Sequence, residues 1–128
     1  MYPLGFILIV GVAGALGAVA RYGVGEWTAR WWWRRFPLAT LMINVSGAFA
    51  LGLLLAAGGT HGGSSVTHWR TILGTGFLGG YTTFSTLSYE TQGLARRGYL
   101  HHAWLNVAGT LCAGITAAAL GIAIGRMI

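Results

Sequence analysis

The stretch from Gly79 to Glu90, "GGYTTFSTLSYE", lies in an apolar part of the chain yet carries five Ser or Thr hydroxyls within seven residues. Its two adjacent glycines weaken a helix, by about 1 kcal/mol each relative to alanine. Ser and Thr side chains can hydrogen-bond carbonyls freed by an interruption, which membranes tolerate only where the backbone faces protein, water or an ion. The stretch therefore predicts a helix broken near residues 79–83, with a glycine kink satisfied by hydroxyls as the simpler alternative.

The composition of the whole chain places it in a membrane. It has 128 residues, of which 55% are hydrophobic and 8% are charged, whereas globular domains usually carry about a quarter charged residues. The net charge of +6 comes from eight arginines against Glu26 and Glu90, with no lysine. These arginines lie singly or in pairs at the ends of apolar runs, which is typical of membrane-flanking charge rather than of a nucleic-acid surface. We predict a single membrane domain over residues 1–128 that binds no nucleic acid.

Four apolar runs are long enough to cross a bilayer, which takes roughly 20 residues in a helix. They predict spans at about residues 3–22, 36–59, 70–95 (with the break at 79–83) and 101–126. All six tryptophans fall in the connections or within a turn of a span end, as interfacial aromatic residues do. The expected fold is an all-α membrane protein with four transmembrane helices and short connections.

Small residues recur at helical spacing in the second and fourth spans. They are Ala48 and Gly52, on the row of Asn44, and Gly109, Ala113, Ala117, Gly121 and Gly125. Such rows allow helices to approach closely in lipid, either within one subunit or between subunits. Because four short helices enclose little interior, a transport path would need a second copy of the chain, and an oligomer is expected.

Several polar or aromatic side chains at membrane depth are candidates for lining that path. Asn44 could join two helices or donate its amide hydrogens to an anion. Asn106 and Thr110 share one face of the fourth span, and Arg21 could snorkel or add positive potential to a vestibule. Phe84 has a ring edge that carries the positive part of its quadrupole and can face a small anion. Together they predict a narrow anion route.

No catalytic set is apparent in the predicted spans. Glu26 is expected in a connection and Glu90 at a span end, and no motif for zinc or for nucleophilic catalysis occurs. An enzyme is therefore not expected. A small dual-topology multidrug/proton antiporter would need an embedded carboxylate, and a non-transporting membrane scaffold would need neither Asn44 nor the interrupted stretch.

Three motifs resemble the Fluc (CrcB) family of fluoride channels. They are "GFLGGYTTFSTLSYE" in the third span, "INVSGA" in the second and "GALGAVARY" in the first. The resemblance implies an antiparallel, dual-topology homodimer in the prokaryotic plasma (cell inner) membrane. It also implies passive export of fluoride through two pores at the dimer interface, which would confer fluoride resistance.

The resemblance also implies roles for individual residues. Phe84 matches the first phenylalanine of the family's pore, Asn44 its amide and Arg21 its vestibule arginine. The main-chain carbonyls of Gly79 and Thr82 match those that hold a structural sodium ion at the dimer interface. The full set of expected pore-lining residues is Asn44, Thr83, Phe84, Ser85, Leu87, Asn106, Thr110 and Arg21.

This chain departs from the family pattern at a few of those positions. Leu87 stands where the family has a second phenylalanine, and by a looser alignment Asn106 and Gly114 replace an aromatic hydroxyl and a serine. The first and third connections carry five arginines and the opposite side two. The resemblance also implies an alternative to the homodimer, an inverted paralogous partner, which this asymmetry and Leu87 together would fit.

Overall fold

The computed structural model describes residues 2–57 and 63–128. All regular secondary structure in these residues is helical, which confirms the all-α class. The elements are α1 (Leu4–Ala29), α2 (Leu38–Ala56), α3 (Ser64–Arg70), a π-helical segment (Thr71–Leu78), α4 (Gly79–Tyr81), α5 (Phe84–Arg96) and α6 (Leu100–Gly125).

Three of these helices, α1, α2 and α6, are long and apolar enough to cross a membrane. Their large side chains point outward: on α1, for example, Leu8, Val12 and Leu16 are all exposed. A soluble monomer rarely exposes so extensive an apolar surface, because water penalises it. The chain is therefore a multi-pass membrane protein.

The helix boundaries differ in part from those predicted. The helix α1 continues to Ala29, beyond the predicted span end at residue 22, so Glu26 lies in a helix and not in a connection. Hydropathy marks where a helix leaves the apolar layer and does not mark where its hydrogen bonds stop. The last two residues of the predicted span 36–59 lie outside the described residues.

The most extensive contact between helices joins α2 and α6. A Cβ atom added at Gly121 would collide with the Phe49 carbonyl of α2, and one at Gly125 would meet the Leu53 carbonyl 2.7 Å away. These successive contacts advance along both helices, so α2 and α6 run in the same direction. The predicted small-residue row thus packs within one subunit at this end, whereas Gly109 has nothing within 4 Å of its added Cβ.

Glycines also bring α1 against the π-helical segment and α4. An added Cβ would collide with the Phe77 carbonyl at Gly17, and with the Gly14 carbonyl at Gly80. The absence of a side chain at Gly80 therefore serves close packing. The expectation that the glycine pair itself forms the break is wrong, because Gly79 is helical, with φ −63° and ψ −36°.

The chain leaves helical geometry two residues later than the glycines. Thr82 is extended (φ −75°, ψ 159°), as is Thr83 (φ −149°, ψ 119°), and α5 begins at Phe84. The preceding π-helical segment was not predicted. Its wide turns end where the Gly79 N–H bonds the Gly74 carbonyl, five residues earlier. Such geometry is rare and occurs frequently at functional sites.

Candidate functional site

The extended residue Thr83 is held on both sides by the Asn44 side chain. The Thr83 N–H donates to Asn44 Oδ1 at 2.9 Å, and Asn44 Nδ2 donates to the Thr83 carbonyl at 3.0 Å. Both backbone groups that helix termination frees at Thr83 are thereby paired, as membrane depth requires. These bonds use one of the two N–H donors of the amide. Asn44 thus joins two helices and keeps a donor for a further acceptor.

Neighbouring hydroxyls satisfy other backbone groups around the extended residues. Thr82 Oγ1 donates to the Leu78 carbonyl at 2.9 Å. Thr83 Oγ1 accepts the Thr86 N–H at 3.2 Å and so caps α5, and it donates to the Thr86 hydroxyl at 2.9 Å. A threonine in this N-cap position satisfies a donor that the first turn leaves free. The hydroxyl-rich sequence thus ends one helix and starts the next.

A cavity of about 550 Å³, open along one side, lies beside these residues. We call it the Phe84 groove. Phe84 is the first residue of α5 and is 80% exposed. The groove brings together five of the predicted pore residues, together with Gly114 of α6: Asn44, Thr83, Phe84, Leu87 and Thr110.

Asn106 and Thr110 extend the polar surface along α6. Asn106 is completely buried, and its Nδ2 donates to Thr91 Oγ1 at 3.0 Å. Its Oδ1 and the Thr110 hydroxyl are buried with no hydrogen-bond partner in the described part of the chain. A buried polar atom left unpaired costs about 1–3 kcal/mol. Two such atoms one helical turn apart therefore indicate a place for water or an ion.

Sequence reasoning missed Thr40 and Glu90. Glu90 lies within α5 and is half-buried rather than at a helix end, and the Thr40 hydroxyl bonds its carboxyl group. Its Oε2 is buried with no partner among residues 2–57 and 63–128. Thr40 precedes Asn44 by one helical turn on α2, and that spacing could have identified it. Glu90, which was predicted at a span end, thus lies inside a helix and contacts a polar side chain of α2.

Three predicted pore residues do not line the Phe84 groove: Asn106, Arg21 and Ser85. Arg21 is half-buried on α1 and lines none of it, because α1 packs on the π-helical segment and α4. Ser85 is exposed beside the groove, with its hydroxyl 3.3 Å from that of Thr83.

The two predicted sodium ligands line a separate cavity of about 290 Å³, which also contacts Asn44 and Gly47. Because the helix ends at Tyr81, carbonyls of its last turn have no intrahelical donors. Gly79 and Thr82 therefore present neutral oxygen atoms of the kind that unwound membrane helices offer to sodium. The residues present fit such an ion, with two main-chain oxygens from one chain.

Long apolar helices, an extended interruption at Thr82 and Thr83, and an open groove lined by Thr110, whose hydroxyl has no partner in the described residues, are features of a membrane transport protein. The chain belongs to the CrcB family: residues 8–122 match the family described as "CrcB-like protein, Camphor Resistance (CrcB)". The family predicted from the three sequence motifs is thus confirmed.

Individual relatives are similar over nearly the whole chain. A "Fluoride-specific ion channel FluC" of Acidobacterium capsulatum is 45% identical over 121 residues, which cover 94% of this chain and 96% of the relative. A "Fluoride-specific ion channel FluC 1" of Leifsonia xyli subsp. xyli is 46% identical over 130 residues, covering 99% and 90%. A FluC of Roseiflexus is 39% identical over 122 residues, covering 95% and 98%. All three names denote ion channels and not enzymes.

Proposed function

We propose that this protein is a fluoride-selective passive ion channel of the prokaryotic plasma membrane, which exports fluoride from the cytoplasm and relieves its toxicity. The observation that carries the proposal is the Phe84 groove, an open cavity lined both by the exposed Phe84 ring and by the Asn44 amide, whose Nδ2 makes one hydrogen bond among the described residues. The relatives named as fluoride-specific channels support the choice of ion.

The channel assembles as an antiparallel, dual-topology homodimer. In each subunit the run from α3 through α5 forms a fourth, interrupted membrane crossing. The Phe84 groove is open on one side, and the 80% exposure of Phe84 leaves a large apolar face uncovered. A second copy of the chain covers that face and closes the groove into a pore, so that two subunits form two pores. An inverted paralogous partner would close it in the same way.

Fluoride is small and strongly hydrated, so a narrow pore must replace the hydrogen bonds that the ion loses on entry. The remaining Asn44 N–H and the unpaired Thr110 hydroxyl are donors of this kind. The edge of the Phe84 ring adds a weak positive contact that water and cations do not favour. Weak sites in series let the ion enter and also leave, as conduction requires.

The remaining expected pore residues serve the route at either side of the groove. Ser85 adds a hydroxyl beside Thr83, Asn106 extends the polar row along α6, and Arg21 supplies positive potential to a vestibule. Leu87 fills the second aromatic position with apolar volume and no positive ring edge.

A sodium ion, held by main-chain carbonyls of Gly79 and Thr82 from both subunits, would offset the charge of the anion and pin the two interrupted helices together. Two carbonyls per chain supply only part of a cation's coordination, which is a further reason to expect a second copy.

A small multidrug/proton antiporter is the second candidate, because Glu90 places a half-buried carboxyl group among the polar side chains. An antiporter couples its flux to a proton gradient, whereas a channel does not. Fluoride efflux from proteoliposomes, measured with and without a pH gradient, separates the two. A protein that only serves as a membrane scaffold would give no flux in either condition.

The assignment of the pore is tested by Phe84→Ile in the same efflux assay. We expect the flux to fall by roughly tenfold, equivalent to about 1.4 kcal/mol, because the positive ring edge is lost. The dimer should remain intact, since isoleucine keeps an apolar side chain on the face that the second copy covers. Tyr22→Ile is the matched control, because Tyr22 is 69% exposed on α1 and lines none of the Phe84 groove. Unchanged flux in Phe84→Ile would remove Phe84 from the pore.

A further inference from the structure

A second polar cavity, of about 250 Å³, lies where the connection between α1 and α2 meets the end of α5. We call it the arginine pocket. It shares no lining residue with the Phe84 groove, and its lining includes Arg35, Pro37, Tyr89, Glu90 and Arg97. The presence of two arginines in one small cavity is unusual in a chain with only eight.

The end of α5 fixes the position of this pocket. Gly98 has φ +84°, and the Tyr99 N–H turns back to the Leu94 carbonyl at 2.9 Å, while the Gly98 N–H bonds the Ala95 carbonyl at 3.1 Å. This pair of bonds is a Schellman motif, which stops a helix at a defined residue. Arg97, just before Gly98, is thereby set at the pocket wall.

Arg35 reaches the same pocket from the other connection. Its guanidinium carbon lies 4.2 Å from the centre of the Tyr99 ring, within the range of a cation–π contact. The ring that the Schellman motif positions therefore holds the second arginine. Contacts from two separate connections bring Arg35 and Arg97 to one cavity.

The charge balance of the pocket favours an anion. The two guanidinium groups face at most one negative charge, from Glu90, so the wall keeps a net positive charge. A cleft lined by one sign of charge raises the local concentration of the opposite ion and speeds its arrival. Arginine is also the most weakly hydrated of the cationic side chains, so it releases water to an anion readily.

Polar side chains lie between the arginine pocket and the Phe84 groove, beginning at Glu90. Glu90 lines the arginine pocket and accepts a hydrogen bond from Thr40, one turn before Asn44 on α2. The adjacent Thr91 holds Asn106, one turn before Thr110 in the groove. Polar side chains thus run from one cavity to the other on both α2 and α6.

We propose that the arginine pocket is the electropositive mouth of the ion route, where Arg35 and Arg97 attract and hold a small hydrated inorganic anion before it enters. The inference rests on the proposed channel function and adds to it a recruiting site at one end of the route.

The test compares two double variants with the same loss of charge. Arg35→Gln with Arg97→Gln empties the pocket of its cations, whereas Arg34→Gln with Arg96→Gln removes the neighbouring arginines, which do not line it. Fluoride efflux is measured with a bulky gluconate salt at about 10 mM and at about 1 M, where the Debye length is about 30 Å and about 3 Å. We expect the pocket variant to lose roughly three- to tenfold of its flux at low salt and to approach wild type at high salt. The control should stay within about twofold at both salts.

Two further measurements keep the outcome decisive. Arg35→Lys with Arg97→Lys keeps the charge but not the guanidinium stack, and it should retain most of the flux. Broadening of the fluoride ¹⁹F resonance by purified protein reports binding without flux, and it should decrease in the pocket variant but not in the control. Equal loss in the two Gln variants, or unchanged flux and broadening in the pocket variant, would overturn the proposal. Absence of fluoride efflux with the wild-type protein would instead count against the channel function. In that case the ¹⁹F comparison between the two Gln variants would still show whether the pocket binds fluoride.

Discussion

The two halves of the α2–α6 pair are built from the same helices but have opposite character. In the C-terminal half, Gly121 and Gly125 of α6 lie directly on the backbone of α2, and an added Cβ has no room. In the N-terminal half, Asn44 faces the Phe84 groove, and Thr110 and Asn106 hold buried polar atoms without partners in the described residues.

This difference shows how a small membrane protein can hold its helices together and still leave a polar path. Lipid tails are as apolar as leucine, so close backbone packing has to supply the association. The glycine contacts provide it at one end. Because that end is closely packed, the other end can remain open. Some of its polar atoms can then stay without a hydrogen-bond partner in the described residues. Four substitutions probe the contrast, ordered from the largest expected effect to the smallest.

Adding a side chain at the closely packed end should lower the stability of the fold. Gly121→Leu forces atoms into the Phe49 carbonyl, and we expect a loss of about 3 kcal/mol or more, with poor recovery of folded protein. Gly109→Leu, on the same helix with nothing near its Cβ, should unfold at the wild-type temperature within a few degrees. Thermal unfolding in detergent, followed by circular dichroism, measures both. Equal losses at the two sites would contradict the close packing at Gly121, because leucine has the better helix propensity at both positions.

The Asn44 contact should matter for both stability and flux. Asn44→Ala leaves the N–H and the carbonyl of Thr83 unpaired, at a cost of roughly 2–3 kcal/mol, and the flux should fall by more than tenfold. Asn44→Asp keeps the acceptor for the Thr83 N–H, so it should spare more stability than Asn44→Ala while still blocking an anion.

Ser46→Ala provides the control for Asn44. Ser46 is exposed on the same helix, with its hydroxyl 3.0 Å from that of Tyr81. Both its stability and its flux should remain near wild type. A stable, conducting Asn44→Ala protein would contradict the role of the amide at the interruption.

The unpaired Thr110 hydroxyl should affect flux without supporting the fold. Thr110→Val removes a donor that has no partner in the described chain, so stability should hold or rise slightly, while fluoride flux falls by about threefold to fivefold, close to 1 kcal/mol. Thr116→Val is the matched control on α6, because that hydroxyl is exposed and bonds the Cys112 carbonyl at 2.8 Å. If Thr110→Val lowered stability and left flux unchanged, the hydroxyl would be structural.

The smallest effect is expected at Leu87. Leu87→Phe adds a second positive ring edge to the groove, and we expect this weak contact to contribute about 0.5 kcal/mol, the lower end of the range for contacts between aromatic rings. The flux should rise by about threefold at most. Leu105→Phe, partly exposed on α6 away from the groove, is the control. A strong block of flux in Leu87→Phe would indicate that the groove has no room for a second ring.

Much of the fold and part of the site could be predicted from the sequence. Hydropathy located the three long helices. The glycine pair and the hydroxyl run indicated an interruption near residues 79–83, and the extended residues are Thr82 and Thr83. Sequence reasoning predicts a role for Asn44, Phe84 and Thr110. Polar side chains, or a lone aromatic one within a hydroxyl run, are unusual at membrane depth. The chemistry of these three side chains follows from residue type alone.

Other features could not be predicted, because they depend on which helix faces which. The role of Gly80 follows from the approach of Gly14, sixty-six residues earlier, and no local pattern indicates that contact. Glu90 is predicted at a span end, and only the structure shows that Thr40 of another helix bonds its carboxyl group. The π-helical segment, likewise, has no clear signal in a run of apolar residues and glycines.

The amino-acid sequence alone determined that this chain lies in a membrane, and it predicted where the chain crosses and which few side chains could line an anion route. These are properties of composition and local periodicity, since the cost of burying charge depends on each residue separately. The tertiary structure decided that Asn44 holds Thr83, that glycines close one half of the α2–α6 pair, and that Arg35, Glu90 and Arg97 line one cavity. Those are distances between remote parts of the chain, and only the packing of the helices sets them.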